Sequence, residues 1–176
     1  MTICGRPGGG LSKQHGKTMK FTHLIEINDP LNPLLTPLTR AQLWQGLVLR
    51  AEQPQLFMPH LDGCTIVEHA GISMQRELRY GSIAIRDHVT LVPQQQVQYR
   101  IPAQADISAS RLDMTVEEPQ AGMLYVRFAY DDGGHEDEGE AGAMYDAFRR
   151  SAYQEADIDT ISIIREMAVE GRLGPN

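Results

Sequence analysis

The central segment of the sequence, from Cys64 to Asp131, alternates between apolar and polar residues with a period of two. Such alternation is typical of β-strands that have one buried face and one face in water. Glycine and proline residues interrupt the alternation at short intervals, as turns between strands do. The pattern predicts six strands, at about 64–70, 73–80, 82–92, 95–102, 109–118 and 122–131. Strands that succeed one another this closely are expected to pair as an antiparallel meander.

A seventh strand and a helix are predicted before this segment. Residues 20–28, KFTHLIEIN, are rich in β-branched and aromatic side chains, which favours a first strand. Further on, Thr39 and Gln42 have the spacing of a capping box, in which each side chain bonds the other residue's backbone. Leu38 and Leu43 are placed to form a hydrophobic staple across the same helix start. The sequence therefore predicts a helix that begins at residue 40.

Two prolines define the segment after this first helix. Pro54 ends the helix, because proline cannot continue a helix interior, but proline is accepted in the first turn of a new helix. The segment PQLFMPH therefore predicts a second short helix, closed by Pro59.

A long helix is predicted near the C-terminus, at about 141–170, with Gly171 as its C-cap. One apolar stripe consists of Tyr145, Phe148, Ala152, Ala156, Ile163 and Met167. A second apolar group on the opposite side consists of Ile158, Ile161, Ile164 and Ala168. A helix that is apolar on two sides is buried twice or has one face against a partner, so we predict a possible homodimer through this helix.

The predicted elements define an α+β fold. A seven-stranded curved antiparallel sheet wraps around the long C-terminal helix, and the two short helices lie between strands 1 and 2. The helix buries an apolar stripe in the concave face of the sheet. Where the side chains between sheet and helix are too small to fill the space, a cavity for a ligand remains.

The stretch from Gly8 to Ile27 raises the question of a phosphate-binding loop, because it contains Gly16-Lys17-Thr18. Such a loop needs a glycine at position 11, which is Leu11, and it should open a helix rather than precede a strand. We therefore interpret residues 1–18 as a disordered leader, for which an over-long gene start is one explanation. The predicted domain is 19–173, with a tail at 174–176.

Composition excludes several classes of protein. A net charge of −7 is unfavourable for binding nucleic acid, and no apolar run is long enough for a membrane span. The two cysteines, Cys4 and Cys64, form no disulfide framework, which together with the lack of a secretory signal predicts a cytoplasmic protein. The six histidines show no metal-ligand spacing and no catalytic motif is present, so we expect no metal and no cofactor.

Two charged residues fall on strand faces that are otherwise apolar. Arg76 is in register with Met74 and Leu78, and Asp87 is in register with Ile85. A buried charge is costly unless it is paired, so these two residues are expected to pair with each other or to orient a polar group of a ligand. A β-bulge that turns one of them outward is the structural alternative.

Further candidates come from residues predicted to face the interior of the sheet or the long helix. The inward face of the first strand includes His23, for which a neutral, hydrogen-bonded core histidine is the simpler interpretation. A tyrosine hydroxyl in such a cavity would need a partner from water or a ligand. The complete set of predicted cavity residues is His23, Phe57, Arg76, Asp87, Tyr99, Met114, Phe128, Tyr145 and Phe148.

The order of these elements resembles the helix-grip superfamily, the START or SRPBCC domains, and most closely its AtaL-like branch. The similar segments are LTRAQLWQGLVLRAEQPQLFMP (38–59), RELRYG (76–81), DHVTLVPQQQVQY (87–99), SRLDMTVEEPQAGMLYVRFAYD (110–131) and MAVEG (167–171). The resemblance implies a cavity between the sheet and the long helix that takes a hydrophobic small molecule. It implies no particular reaction, because cyclases, carriers and co-chaperones share the scaffold.

Three functions are compatible with the sequence. The first is a binding protein for a hydrophobic, lipid-like or aromatic, polyketide-type metabolite. The second is a cyclase or aromatase-like enzyme, for which Arg76, Asp87, His23 or a cavity tyrosine would have to supply acid–base groups. The third is a protein-interaction module of the co-chaperone type, which the two-sided final helix would serve.

Overall fold

The computed structural model describes residues 18–135 and 140–174. The strands are β1 (Thr18–Asn28), β2 (Gly63–Ala70), β3 (Ser73–Tyr80), β4 (Ile83–Val92), β5 (Gln96–Ile101), β6 (Ser110–Gln120) and β7 (Met123–His135). The helices are α1 (Arg40–Glu52), a short 3-10 helix (Pro54–Leu56) and α2 (Glu140–Val169). Within the described ranges, no helix is both long and apolar enough to cross a membrane.

The seven strands form one antiparallel sheet in the order β1-β7-β6-β5-β4-β3-β2. From β2 to β7, each strand pairs with the strand that follows it in the sequence, as the alternation predicts. Strand β1 pairs with β7 and forms the other edge of the sheet. The predicted helix-grip architecture, a curved sheet with a long C-terminal helix, is confirmed. The main difference in boundaries is β7, which continues to His135 beyond its predicted end at residue 131.

The start of α1 has the predicted capping box. Thr39 accepts a hydrogen bond from the backbone N–H of Gln42, and the Gln42 side chain accepts one from the backbone N–H of Thr39. At the other end, Gln53 is the C-cap and Pro54 opens the 3-10 helix. The second predicted helix is therefore a single 3-10 turn.

The predicted apolar stripe of α2 is wrong in the N-terminal half of the helix, whereas Met167 near the C-terminal end is buried as predicted. Tyr145 and Phe148 are 56% and 70% exposed, so neither faces the sheet. The buried face of α2 is instead Asp146, Asp157, Thr160, Ile161, Ile164 and Met167. The error arises because polar side chains occupy the inward face in the N-terminal half of α2, where the sequence pattern predicted apolar ones.

This difference also changes the surface available for a homodimer. Ile161 and Ile164, which the sequence pattern placed on the outer face, are buried in the core. The large apolar side chains that α2 leaves exposed near its N-terminal end are Met144, Tyr145 and Phe148. A homodimer through α2 stays a prediction, and the exposed apolar side chains available to it are these three residues together with Ile158 and Val169 further along the helix.

Two sequence predictions lie outside the described residues. They are the disordered leader up to residue 17 and the end of the tail at 175–176. Thr18, which the sequence pattern assigned to the leader, is the first residue of β1.

The closed part of the core lies between one end of the sheet, α1 and the C-terminal half of α2. It contains Leu43 and Leu47 of α1, Ile164 of α2, and Phe128 of β7, all fully buried. The two helices approach closely at Gly46, where an added Cβ would lie 2.6 Å from Cγ1 of Ile164. The absence of a side chain at this position is what allows Ile164 to pack against α1.

Replacing Gly46 by alanine should therefore destabilise the protein, although alanine favours a helix. Alanine would gain up to about 1 kcal/mol in helix propensity, but overpacking against Ile164 costs about 1–3 kcal/mol. We expect a net decrease in the free energy of unfolding, measured by urea denaturation. The control is Gly63→Ala, since a Cβ at Gly63 meets nothing within 4 Å. A Gly46→Ala variant as stable as the control would contradict the close packing of α1 and α2.

Candidate ligand pocket

Beyond the closed core, the concave face of the sheet and α2 enclose a pocket of about 300 Å³. Its wall is formed by residues from β3 to β7, from the end of α1 and its following loop, and from α2. The apolar wall residues are Pro54, Met58, Leu78, Ile85, Ile101, Leu112 and Ala156. The polar wall residues are Arg50, Arg76, Tyr80, Asp87, Tyr99, Ser110, Arg111, Tyr130, Asp132 and Tyr153.

A row of polar side chains separates the closed core from the pocket. On four strands, β3, β4, β5 and β7, the inward face changes from apolar to polar at nearly the same level, for example from Met74 to Arg76 on β3 and from Phe128 to Tyr130 on β7. We call this row the polar belt; it consists of Arg76, Asp87, Tyr99 and Tyr130 from the sheet, with Arg50, Asp157 and Thr160 from the helices. The space beyond the belt is the pocket.

Arg76 and Asp87 are direct cross-strand neighbours and form a buried ion pair. The Nε and Nη2 atoms of Arg76 donate to the two carboxylate oxygens of Asp87 over 2.9 Å and 2.5 Å, and both residues are 3% exposed. The Nη1 atom of Arg76 donates to the backbone oxygen of Ala51. Burial by itself would lower the pKa of Arg76, but the bonds to Asp87 outweigh it and the pKa is raised. The predicted inward direction of both charges agrees with this structure.

Tyr99 lies between two guanidinium groups. The Cζ atom of Arg50 is 5.3 Å from the centre of the Tyr99 ring, and that of Arg76 is 5.2 Å from it. Both distances suit an attraction between a cation and an aromatic face. Tyr99 is only 7% exposed, yet its hydroxyl has no hydrogen-bond partner among the described residues. Most buried hydroxyl groups do have a partner, so the hydroxyl of Tyr99 is an unused hydrogen-bonding group within the pocket wall.

Arg50 brings a second guanidinium to the pocket from the last turn of α1. Its Nε atom donates to Oγ1 of Thr160 over 3.3 Å, and the residue is 6% exposed. Burial opposes its charge, but Tyr99, Tyr130 and Asp157 act the other way and the pKa of Arg50 is raised. The C-terminal end of a helix also favours a cation. Arg50 therefore stays charged inside the pocket wall.

Asp157 is fully buried and joins α2 to the two strands at one side of the sheet. Its carboxylate accepts hydrogen bonds from the hydroxyl of Tyr130 over 2.8 Å and lies 2.7 Å from Nε2 of His23. Burial raises the pKa of Asp157, although the bonds to His23 and Tyr130 and the nearby charge of Arg50 oppose the rise. The Nδ1 atom of His23 is buried without a partner in the described structure.

The N-terminal half of α2 is held to the end of β7 by polar contacts. Asp132 pairs with Arg149 and accepts a hydrogen bond from the hydroxyl of Tyr153 over 3.2 Å. The ring of Tyr153 stacks on Tyr130 with 4.4 Å between ring centres. Because Tyr130, Asp132 and Tyr153 all line the pocket, these contacts form one of its walls.

Three of the nine predicted residues line the pocket: Arg76, Asp87 and Tyr99. The aromatic and methionine candidates of the core, which are Phe57, Met114 and Phe128, are buried where the closed core is filled. His23 is also buried, and it bonds Asp157 as described. Tyr145 and Phe148 lie on the exposed side of α2, so the structure does not place them at the pocket.

Sequence reasoning missed several residues of the site. Arg50 comes after Leu43 and Leu47 at helical spacing, so its position on the buried stripe of α1 could have indicated it. Asp157 and Thr160 come one helical turn before Ile161 and Ile164 and lie on the same side of α2. This spacing could have indicated that they are buried, as it could have for Arg50. Tyr130 follows Phe128 at a spacing of two on β7, so strand alternation could have indicated it.

The site offers hydrogen-bond donors and charges around an otherwise apolar space. Nothing in the described part of the chain brings together three or more histidine, cysteine, aspartate or glutamate side chains that could hold a metal ion. The arrangement can hold an apolar molecule with one polar end, and it can orient that end.

Several known structures share this architecture. The di-domain ARO/CYC StfQ from the steffimycin biosynthetic pathway has a TM-score of 0.64 at 9% identity, over 86% of this chain and 51% of StfQ. The Zhui aromatase/cyclase from Streptomyces sp. R1128 has a TM-score of 0.60 at 13% identity, over 90% of this chain and 97% of Zhui. The Aha1 dimer from Colwellia psychrerythraea has a TM-score of 0.55 at 13% identity, over 83% of this chain and 96% of that one.

This chain thus spans about half the length of StfQ and nearly all of Zhui. At these identities the similarity shows the fold alone, which is the helix-grip fold. The family described as "AtaL: Acetylaranotin biosynthesis cluster protein L" matches residues 25–171, and the chain belongs to this family. No curated protein matches the sequence.

The buried ion pair leads to a test of stability. Asp87→Ala leaves Arg76 charged and unpaired in the wall, which should lower the free energy of unfolding by about 3–5 kcal/mol. The double variant Arg76→Met/Asp87→Leu removes both charges and should recover most of this loss, because well-packed apolar side chains can replace a buried pair. Chemical denaturation measures both values.

Arg79→Ala is the control for the ion-pair experiment. Its guanidinium is 63% exposed and lies 3.4 Å from Glu77, so its removal should cost less than about 1 kcal/mol. If Asp87→Ala costs no more than Arg79→Ala, the pair is not buried as described.

The raised pKa of Asp157 predicts a pH dependence of stability. The folded protein keeps a proton on Asp157 at pH values where the unfolded chain has lost it, so this group contributes less stability as pH rises through that interval. Asp157→Asn is neutral at every pH. As pH rises above about 4, where an unfolded aspartate loses its proton, the wild type should therefore lose unfolding free energy relative to Asp157→Asn. Asp159 is exposed, so the Asp159→Asn variant should show no such trend. If the wild type instead becomes more stable relative to Asp157→Asn as pH rises, the pKa of Asp157 is not raised.

Proposed function

We propose that the protein binds a hydrophobic small molecule of aromatic or polyketide type in the pocket between the sheet and α2. The observation that carries this proposal is a space of about 300 Å³ with apolar walls and a few convergent polar groups. Ligand sites in proteins have this composition, and their volumes begin at about this size. The aromatase/cyclase titles of StfQ and Zhui, which share the fold, support the same class of ligand.

The position of the pocket supports the proposal independently of its size. The apolar wall residues come from four strands, the loop after the 3-10 helix and α2, so they surround a guest molecule rather than form a flat patch. Rings and aliphatic side chains such as Leu112 and Tyr153 face each other across the space from the sheet and the helix. Burial of an apolar guest there is favoured by about 25 cal/mol for each Å² removed from water.

A cyclase-like activity is the second candidate, favoured by the groups of the polar belt. Carbonyl chemistry needs a proton donor or acceptor within reach of the substrate. The hydroxyl of Tyr99, a residue of the pocket wall, is buried without a hydrogen-bond partner among the described residues, and Tyr130 is hydrogen-bonded to a carboxylate whose pKa is raised. In such an enzyme Tyr99 donates a proton or hydrogen bond to a carbonyl oxygen, while Arg76 and Asp87 hold the ring of Tyr99 in place.

A neutral fluorescent dye tests the binding function. Nile red, whose emission rises in apolar surroundings, should bind the wild type and become bright. Ala156→Trp should reduce this binding by more than about 10-fold, because Ala156 lines the pocket and an indole would occupy much of the space. Fluorescence titration gives the dissociation constants.

Ala152→Trp is the matched control for the dye experiment. Ala152 is exposed on the same helix, about one turn earlier, and is absent from the pocket wall. It should bind the dye within about twofold of the wild type. Equal loss in both variants, or no loss in Ala156→Trp, would place the dye outside this pocket.

A further inference from the structure

Among the charged side chains at the pocket, Arg50 takes no part in the direct ion pairs that the described residues form. Both carboxylate oxygens of Asp87 are bonded to Arg76, which neutralises that pair. The carboxylate of Asp157 is engaged by Tyr130 and His23. Arg50 is left without a carboxylate within 4.0 Å among the described residues, and its hydrogen bond is to the neutral hydroxyl of Thr160.

A buried guanidinium without an anionic partner is unusual. Charged side chains below the surface are normally paired, because desolvation of an isolated ion is costly. Arg50 is 6% exposed and lines the pocket, so the surface that remains open to it is the pocket itself. The protein as a whole carries a net charge of −7, so the positive charge is a local feature of this wall.

Tyr99 supplies a second, independent observation at the same place. Its ring contacts the Arg50 guanidinium, and its hydroxyl is a buried group without a hydrogen-bond partner in the described structure. A hydroxyl beside a cation is suited to donate to a negatively charged oxygen, which accepts stronger hydrogen bonds than a neutral one. The guanidinium of Arg50 and the hydroxyl of Tyr99 therefore both favour a ligand with a negatively charged oxygen.

We propose that the ligand is an organic acid with an apolar body, whose anionic oxygen binds between Arg50 and the Tyr99 hydroxyl. This proposal rests on the binding function proposed above and specifies the class of ligand. The apolar body would lie against the sheet and α2, while the carboxylate or ionised hydroxyl completes the ion pair that Arg50 lacks. A ligand without such a group would leave both polar groups unsatisfied.

Two compounds of nearly equal shape test this directly. By calorimetric titration, the wild type should bind 2-naphthoate about 10-fold to 100-fold more tightly than 2-naphthamide, which lacks the charge. A third compound, 2-naphthol, separates the two sources of an anionic oxygen. If an ionised hydroxyl is what the site accepts, 2-naphthol should bind more tightly as pH rises through its own pKa; if it does not, the acid is a carboxylate.

Variants assign the preference to the two residues. Arg50→Met should reduce the naphthoate preference to within about threefold of unity, and Tyr99→Phe should reduce it in part. Tyr99→Phe removes one unpaired hydroxyl, so it should fold even if Arg50→Met does not. Arg40→Met is the matched control, since Arg40 opens the same helix but bonds Gln94 and Glu118 outside the pocket. It should keep the full preference.

The outcomes separate this proposal from the binding function. Equal binding of naphthoate and naphthamide to the wild type overturns the assignment of an acid while the pocket function stands. A preference that survives both Arg50→Met and Tyr99→Phe also overturns it, because another group would then hold the anion. If neither compound binds and Nile red does not respond to Ala156→Trp, the binding function itself fails.

Discussion

The ion pair between Arg76 and Asp87 marks the level at which this helix-grip fold stops being filled by its own side chains. On one side of the pair, residues such as Met74 and Phe128 are fully packed against α1 and α2. The pair is held by two hydrogen bonds and a third to the Ala51 backbone, so neither side chain is free to turn into the space beyond. Apolar side chains packed beyond this level would bury further polar groups of the belt without partners, which is costly. The pocket is a consequence of this constraint.

The long helix α2 is likewise divided between a half that packs into the closed core and a half that lies at the pocket. Its C-terminal half has Ile161, Ile164 and Met167 on the inward face and packs into the closed core. Its N-terminal half presents Tyr153 and Asp157 instead, which form hydrogen bonds with residues of β7. Polar anchoring holds this half of the helix near the sheet without filling the space between them. Such a division explains how one continuous helix can both stabilise the fold and form a wall of the pocket.

Much of the fold could be predicted from the sequence, because strand alternation fixes which side chains share a face. The same rule placed Arg76, Asp87 and Tyr99 on the inner face, where the structure has them. The aromatic residues Tyr145 and Phe148 were assigned to the pocket because apolar residues are usually buried, and here they are exposed. Polar residues on the inward face of α2 are bonded to partners far away in the sequence, and no local pattern reveals such partners. Arg50 escaped notice for the same reason, since its contacts with Tyr99 and Thr160 exist only once the sheet and both helices are assembled.

The central claim is that a guest molecule lies beyond the polar belt, on the inner face of the sheet. Intermolecular nuclear Overhauser effects between bound 2-naphthoate and the methyl groups of the isotope-labelled protein measure this position directly. We expect contacts from the naphthalene protons to Ile85, Ile101 and Leu112, and none to the exposed methyl groups of Val67 on β2. Contacts confined to Met144 and the outer side of α2, with none to the three wall residues, would show that the ligand binds the surface and would contradict the claim.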